Sequence, residues 1–482
     1  MLLHACLVVF PGCSTKSTVP VQNPANRYNI VLIVSDALRQ DILGCYGGAA
    51  RTPNIDALAG AGVLFENSYS TSPWTVPSAV SMFTGNYACT YGHTPPGEAS
   101  GRTPLQVFVP HGEYLFAEAL QQLGYANIMA IENVNASIHN NLQGFQPLVD
   151  APTFDEAVPR PLRERIERIA GGEAYASKAF ENAFVVLKHL LSIPPGRRFF
   201  LLHWILDPHY PYEPAGASAA RLVRDDFVLP KEREHYMKGI VGEVSLAEEE
   251  RRFLMALYRA EVESVDERVG YIMKVLAHRG LLDSTYIVFT SDHGEQFGDH
   301  GLYGHGGFGR GCHYYEGLVR VPLIIAGPGL PAGARVASPV SLLGLMPTLS
   351  DLLGITFDRD MQGGSFLPAV RGSAVSRELY FDDIQEHNQS DALLSGRHKL
   401  IAFRDGTCEL YDVIADSREE NDLADSRVDL RDRLAVMLER IRNDNGTLKR
   451  HHVAMIGDSL GHLPVGERRA IIRQLRSLGY LQ

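Results

Sequence analysis

A chain of 482 residues allows about three domains at roughly 150 residues each, or one large α/β unit with an appendage. Hydrophobic residues make up 45% and charged residues 21%, with 45 Gly and 27 Pro, which excludes wholesale disorder and a fibrous repeat. The 45 Lys+Arg against 56 Asp+Glu leave a formal charge of −11, so no excess of cations is present to displace the counterions of a nucleic-acid backbone, and nucleic acid is not an expected partner.

Residues 1–27 open with a short apolar run, Leu2 to Phe10, then Pro11-Gly12-Cys13-Ser14 and a polar stretch to Arg27. The run is too short to cross a bilayer. It resembles the end of a bacterial lipoprotein signal with Cys13 as the lipidated residue, although a basic n-region is missing. The expectation is a leader and linker over 1–27 and a periplasmic or otherwise extracytoplasmic protein anchored through Cys13; the alternative is a frayed apolar terminus on a cytoplasmic one. The six cysteines, at 6, 13, 45, 89, 312 and 408, form no CxxC pair and no disulfide framework.

From Asn29 onward short apolar runs alternate with helical stretches. This predicts an α/β fold over 28–355, a large, mixed, mostly parallel sheet sandwiched by helices. Asn29–Val34, Ala126–Ile131, Phe199–Leu206, Thr285–Thr290 and Val321–Ala326 are continuously apolar, as central parallel strands require. Leu115, Phe116, Ala119, Leu120 and Leu123 repeat at helical spacing before Gly124, and 248–279 carries a long helical pattern ending at Gly280. After residue 356 the texture changes. The segments HKLIAF, RDGT and CELYDV read as a hairpin, which predicts a small antiparallel α+β subdomain over 356–427, followed by a charged helical tail over 428–482.

Ligands of an open parallel sheet bind beyond the carboxyl ends of its strands. Here those ends read Ser35-Asp36, Asp207-Pro208-His209 and Ser291-Asp292-His293-Gly294-Glu295. Each aspartate alone is an ordinary helix cap, but Asp36, Asp292 and His293 together offer three mixed O and N ligands to one cation. In the segment Ser72 to Gly85, Pro77 pre-sets a first helical turn and Gly85 stops the helix, so Thr75 is expected just before a helix N-terminus. A hydroxyl there meets the positive end of the dipole and suits attack on a phosphoryl or sulfuryl centre; the bland reading is a helix cap.

At these residues the sequence resembles the sulfatase branch of the alkaline phosphatase superfamily. The blocks NIVLIVSDALRQDILGCYG, RTPNIDALAGAGVLFENSY, SPWTVPSAVSMFTG, LDPHYPY, TSDHGEQFGDHGLYGHG, YYEGLVRVPLIIAGPG, GRHKLIAF and ELYDVIADSREENDLA stand in family order over roughly residues 29–425. The resemblance implies an ester hydrolase, with a large α/β domain and a four-stranded C-terminal subdomain. It implies Asp36, Asp292 and His293 as metal ligands, Thr75 as nucleophile and metal-side oxygen, and His209 and His305 as catalytic histidines. Asn133, Arg310 and His313 become candidate substrate contacts, the last two in the insertion GGFGRGCHYYE. Arg39 and His203 read as structural, and Glu295 as a residue that fixes a metal ligand.

The departures shape the expected chemistry. Ordinary sulfatases convert a cysteine or serine to an aldehyde, whereas Thr75 carries a Cβ methyl and its oxidation would give a ketone. The usual arginine is Ala79, the second metal aspartate is Ala37, and the usual lysine is replaced near Glu132-Asn133. The retained set resembles superfamily members that use threonine directly on phosphorus, such as phosphoethanolamine transferases and some phosphodiesterases. The expected cofactor is one divalent ion, Zn²⁺ or Mn²⁺ ahead of Ca²⁺, because a site poorer in carboxylates suits imidazole-accepting metals. The expected substrate is a small anionic ester, an anionic glycan or a lipid head group. A sulfuric ester hydrolase working without the aldehyde, and a catalytically silent module binding an anionic glycan, are the alternatives.

Overall fold

The computed structural model describes residues 21–22, 28–93, 107–110, 114–136, 142–147, 160–170, 178–214, 233–240, 242–306, 313–357, 360–373, 378–384 and 390–460. Cys13 and Arg310 lie outside the described residues. Eight strands form the large sheet: β1 Asn29–Ser35, β2 Val63–Phe65, β3 Ala126–Ile131, β4 Gln146–Pro147, β5 Phe199–Ile205, β6 Thr285–Ser291, β7 Leu323–Ala326 and β8 Ala334–Val336. Their order is β8-β2-β7-β6-β1-β5-β3-β4.

Every neighbouring pair is parallel except those of β7, which runs antiparallel to both β6 and β2. The parallel expectation for Val321–Ala326 is therefore corrected. A parallel return needs a crossover that carries the chain back to the other end of the sheet. Between β6 and β7 the described chain offers only short elements, among them the single helical turn Glu316–Val319, so it re-enters the sheet from the end it left.

Side chains alternate along each buried strand. Val31, Ile33, Leu201, Ile205, Ile287 and Phe289 face one helical layer, formed by α1 Pro53–Ala61, α4 Arg160–Ala170, α5 Lys178–Ser192 and the long α6 Glu248–His278. Ile30, Leu32, Val34, Phe200, Leu202, Trp204 and Val288 face the other, formed by α2 Thr75–Thr84, α3 Phe116–Gln122 and α7 Leu345–Leu353. The strands are apolar on both faces because both are covered.

A second, antiparallel sheet orders β9 Leu379–Phe381, β10 Ser390–Ser395, β11 His398–Phe403 and β12 Cys408–Asp412 consecutively. One face, with Phe381, Ala392, Leu394 and Ile401, packs on Tyr69, Tyr314, Leu318 and Val319 of the large domain. The other, with Leu393, Leu400 and Leu410, is covered by Leu430, Leu434 and Leu438 of α8 Val428–Leu460. Among the described residues no helix is long and apolar enough to cross a membrane.

Candidate active site

Three adjacent central strands, β6, β1 and β5, end at one place. The backbone beyond β1 turns at Ala37, whose φ of +58° is unusual for a residue with a Cβ. Two hydrogen bonds hold that turn: Ala37 N–H donates to Asp292 Oδ1 at 3.2 Å, and the Tyr258 hydroxyl donates to Ala37 O at 2.7 Å. Beyond β6, Gly294 lies so close to the Glu316–Val319 turn that a Cβ would meet Gly317 O at 2.1 Å, which is why this loop needs glycine.

The result is a fully buried trio. Asp36, Asp292 and His293 are each 0% exposed and present ligand atoms within 4.8 Å of one another. Each carboxylate is tied down through one oxygen only. Asp36 Oδ2 accepts from Asn133 Nδ2 at 2.7 Å and Trp204 Nε1 at 2.9 Å, and Asp292 Oδ1 accepts from Ala37 N and from His293 N at 3.0 Å. The other oxygens, Asp36 Oδ1 and Asp292 Oδ2, have no hydrogen-bond partner among the described residues. His293 Nδ1 donates to Gly294 O at 2.8 Å, which leaves Nε2 to face those oxygens at 3.6 and 3.4 Å.

Without a cation this arrangement is unfavourable. Burial, then the neighbouring Asp36 charge, pushes the Asp292 carboxyl well above the usual carboxylate range. Burial, then His305, pulls the His293 imidazole down to about 3, so its Nε2 is a lone pair rather than a proton. Two unpartnered carboxylate oxygens and one imidazole lone pair converging in the interior fit a divalent cation, with Asn133 and Trp204 already orienting Asp36. These three residues are the candidate metal ligands.

Thr75 is the first residue of α2, with Trp74 at the N-cap position and Gly85 closing the helix in the left-handed conformation. Its hydroxyl caps nothing. Oγ1 lies 3.3 Å from His293 Nε2 and 3.4 Å from Asn133 Nδ2, so the capping interpretation gives way to a hydroxyl held against the ligand trio. Two histidines extend the site outward: the His305 ring is centred 4.5 Å from that of His293 and 4.8 Å from that of His209.

Glu295 does not fix a metal ligand. It is buried and accepts from His305 Nδ1 at 2.9 Å and from the Tyr212 hydroxyl at 3.1 Å, so it orients His305 instead. Burial raises its carboxyl to about 7. Burial, then His209, holds His305 well below the usual imidazole range. Arg39 pairs with Asp41 and Asp299 and is structural. His203 is buried in β5, and burial followed by the Arg268 charge keeps it neutral. His313 stacks on Tyr315, whose hydroxyl donates to Glu409 of the C-terminal sheet. Ala79 is fully buried in the same apolar cluster as Met82, Phe83 and Trp204.

Trp204 escapes a reading of the sequence because it sits inside an apolar strand run. The available signal is its indole N–H, which a buried tryptophan must satisfy with an acceptor.

The mixed sheet and its two helical layers define an alkaline phosphatase-like α/β fold. The sulfatase family model matches residues 28–355, and the chain belongs to the sulfatase family, a family of ester hydrolases. A second model, N-sulphoglucosamine sulphohydrolase, C-terminal, matches residues 298–444. Choline-sulfatase of Rhizobium meliloti (strain 1021) is 25% identical over 450 residues, covering 83% of this chain and 82% of its own. Arylsulfatase D of Homo sapiens is 28% identical over 460 residues, covering 80% and 75%. Among solved structures, the phosphonate monoester hydrolase of Agrobacterium radiobacter superposes with a TM-score of 0.64 at 22% identity, covering 88% of this chain and 96% of that one. A protein solved in complex with its substrate D-glucosamine-2-N,6-O-disulfate gives a TM-score of 0.65 at 20% identity, covering 87% and 98%.

Proposed function

We propose that this chain is a metal-dependent hydrolase or phosphotransferase of phosphate or phosphonate esters in which Thr75 is the direct nucleophile. The observation that carries the proposal is the Thr75 hydroxyl, first in α2 and 3.3 Å from Nε2 of His293 within a buried trio of cation ligands. Asp36, Asp292 and His293 would hold the ion, with the Thr75 oxygen beside it. Two carboxylates and an imidazole suit Zn²⁺ or Mn²⁺ better than Ca²⁺, which seeks six to eight oxygens. When bound, the ion supplies positive charge to the anionic centre and favours ionisation of the Thr75 hydroxyl.

The remaining steps belong to the chain. Asn133 Nδ2, within reach of both Asp36 and Thr75, orients the nucleophile. Thr75 Oγ forms a bond to phosphorus as the bond to the leaving oxygen breaks, and the hydroxyl proton reaches that oxygen by way of His305 and His209, so an alcohol departs. Water or an acceptor alcohol then attacks phosphorus, cleaves the bond to Oγ and returns the proton to Thr75. An aldehyde is not needed, since water attacks phosphorus directly.

Sulfuric ester hydrolysis without the aldehyde is the second reading, favoured by the names of the sulfatase relatives. Paired aryl phosphate diesters, monoesters, phosphonates and sulfates, assayed with metal-reconstituted protein, separate the two. Thr75→Ala should abolish turnover, Thr75→Ser should retain measurable phosphoester cleavage, and rapid-quench mass spectrometry should find a phosphoryl mass on the Thr75 peptide. Wild-type activity in Thr75→Ala would falsify the nucleophile. The same reading includes extracytoplasmic location through lipidation of Cys13, tested by fractionating wild type and Cys13→Ala in a bacterial host.

A further inference from the structure

Arg268 interrupts the apolar face of α6, between Val265, Val269 and Ile272 of the core, and its side chain is 0% exposed. A guanidinium there must be compensated. Both partners come from strand ends rather than from the helix: Nη1 donates to Glu132 Oε1 and Oε2 at 2.8 and 3.1 Å, and Nη2 donates to Asp207 Oδ2 at 2.7 Å.

The positions of those partners matter more than their charge. Glu132 is the residue after β3 and directly precedes Asn133. Asp207 is the second residue after β5 and lies two before His209. Glu132 Oε2 also accepts from Leu206 N at 3.0 Å, and Ser35 Oγ, next to Asp36, donates to Asp207 O at 2.8 Å. One planar fork thus ties the loop of Asn133 to the loop of His209, which the Ser35 bond joins in turn to Asp36, and a lysine's point charge cannot reproduce the fork.

We infer that Arg268 is a positioning residue, which sets the separation of Asn133 from His209 across the site and, through Asn133, the alignment of Thr75 with Asp36. The inference rests on the reading of Thr75 and the histidines given above. Arg268 touches neither the ligand trio nor Thr75, so its loss should leave metal content intact while misaligning the reacting groups.

The test compares Arg268→Lys, Arg268→Met and the neutral triple variant Arg268→Met/Glu132→Gln/Asp207→Asn in kcat, KM, metal content and melting temperature. Arg268→Met should lower kcat by about 100-fold, the scale of a misplacement near 1 Å, with metal retained. The triple variant removes the unpaired charges, so it should recover melting temperature without recovering kcat. Recovery of both together would make the knot merely structural and overturn the proposal. If both of these variants fail to fold, Arg268→Lys, which keeps the charge, decides: a kcat equal to wild type overturns the proposal, and a reduced one supports it. Orthovanadate binding to wild type and Arg268→Lys, followed by calorimetry, separates this from failure of the functional reading. Weaker vanadate binding in the variant supports positioning even if no tested ester turns over, and equal binding without turnover counts against it.

Discussion

Two clusters of buried charge in this molecule are balanced in opposite ways. In the C-terminal sheet Lys399, 0% exposed, meets Glu316 at 2.8 Å and Glu419 at 2.7 Å and also donates to Tyr314 O, so the buried charges pair within the protein. Burial pulls the Lys399 ammonium down, but the two glutamates outweigh it and hold the group above its usual value. At the ends of β1 and β6, Asp36 and Asp292 are equally buried, yet each leaves an oxygen without a partner and both face an imidazole lone pair. The fold compensates buried charge where charge only joins two layers. Where it leaves two carboxylates uncompensated, the proposed cation would be the missing partner.

The comparison breaks most visibly at the balanced cluster. Lys399→Met leaves Glu419 buried without its cation and Glu316 with Arg320 alone, at 3.6 Å, and should cost about 3–5 kcal/mol in denaturant unfolding, while metal content stays unchanged. At the unbalanced cluster the sign should reverse. In chelator near neutral pH, Asp292→Asn should be no less stable than wild type, because the amide, like the protonated acid, places no second negative charge beside Asp36.

The pH dependence sharpens the same point. The folded pKa values of Asp292 and Glu295 are raised, Glu295 to about 7, so their protonated forms favour the metal-free fold. That contribution is full below the unfolded carboxylate range and is lost as pH rises through the folded values. Chelated protein should therefore lose stability as pH rises above about 4 relative to metal-loaded protein, in which Asp292 would stay ionised. The smallest expected effect is that of Trp204→Phe, which removes one donor from Asp36 Oδ2 and should weaken metal binding by about 10-fold.

Much of this was legible in the sequence. The runs that form β1, β3, β5 and β6 stand out because both sheet faces are covered, so the apolar residues are continuous, and Asp36, Asp292 and His293 stand out because they end such runs. The two- and three-residue strands β2, β4 and β8 carry too little pattern to find. The reversal of β7 depends on the path of the connection rather than on its own residues. Within the site, the contact of Asn133 with Asp36 and the pairing of Glu295 with His305 depend on which way a loop side chain turns, which local sequence does not specify. Arg268 left a signal in its spacing from Val265, Val269 and Ile272, an arginine placed on the buried stripe of a helix.

The most direct test is elemental analysis of mildly purified wild type and Asp292→Ala, with chelation and reconstitution followed by thermal unfolding near neutral pH. The account expects about one equivalent of divalent metal in wild type, lower occupancy in Asp292→Ala, and a melting temperature that falls on chelation and returns with Zn²⁺ or Mn²⁺. A wild-type protein that binds no divalent metal on reconstitution, or one whose stability is indifferent to it, would contradict the account.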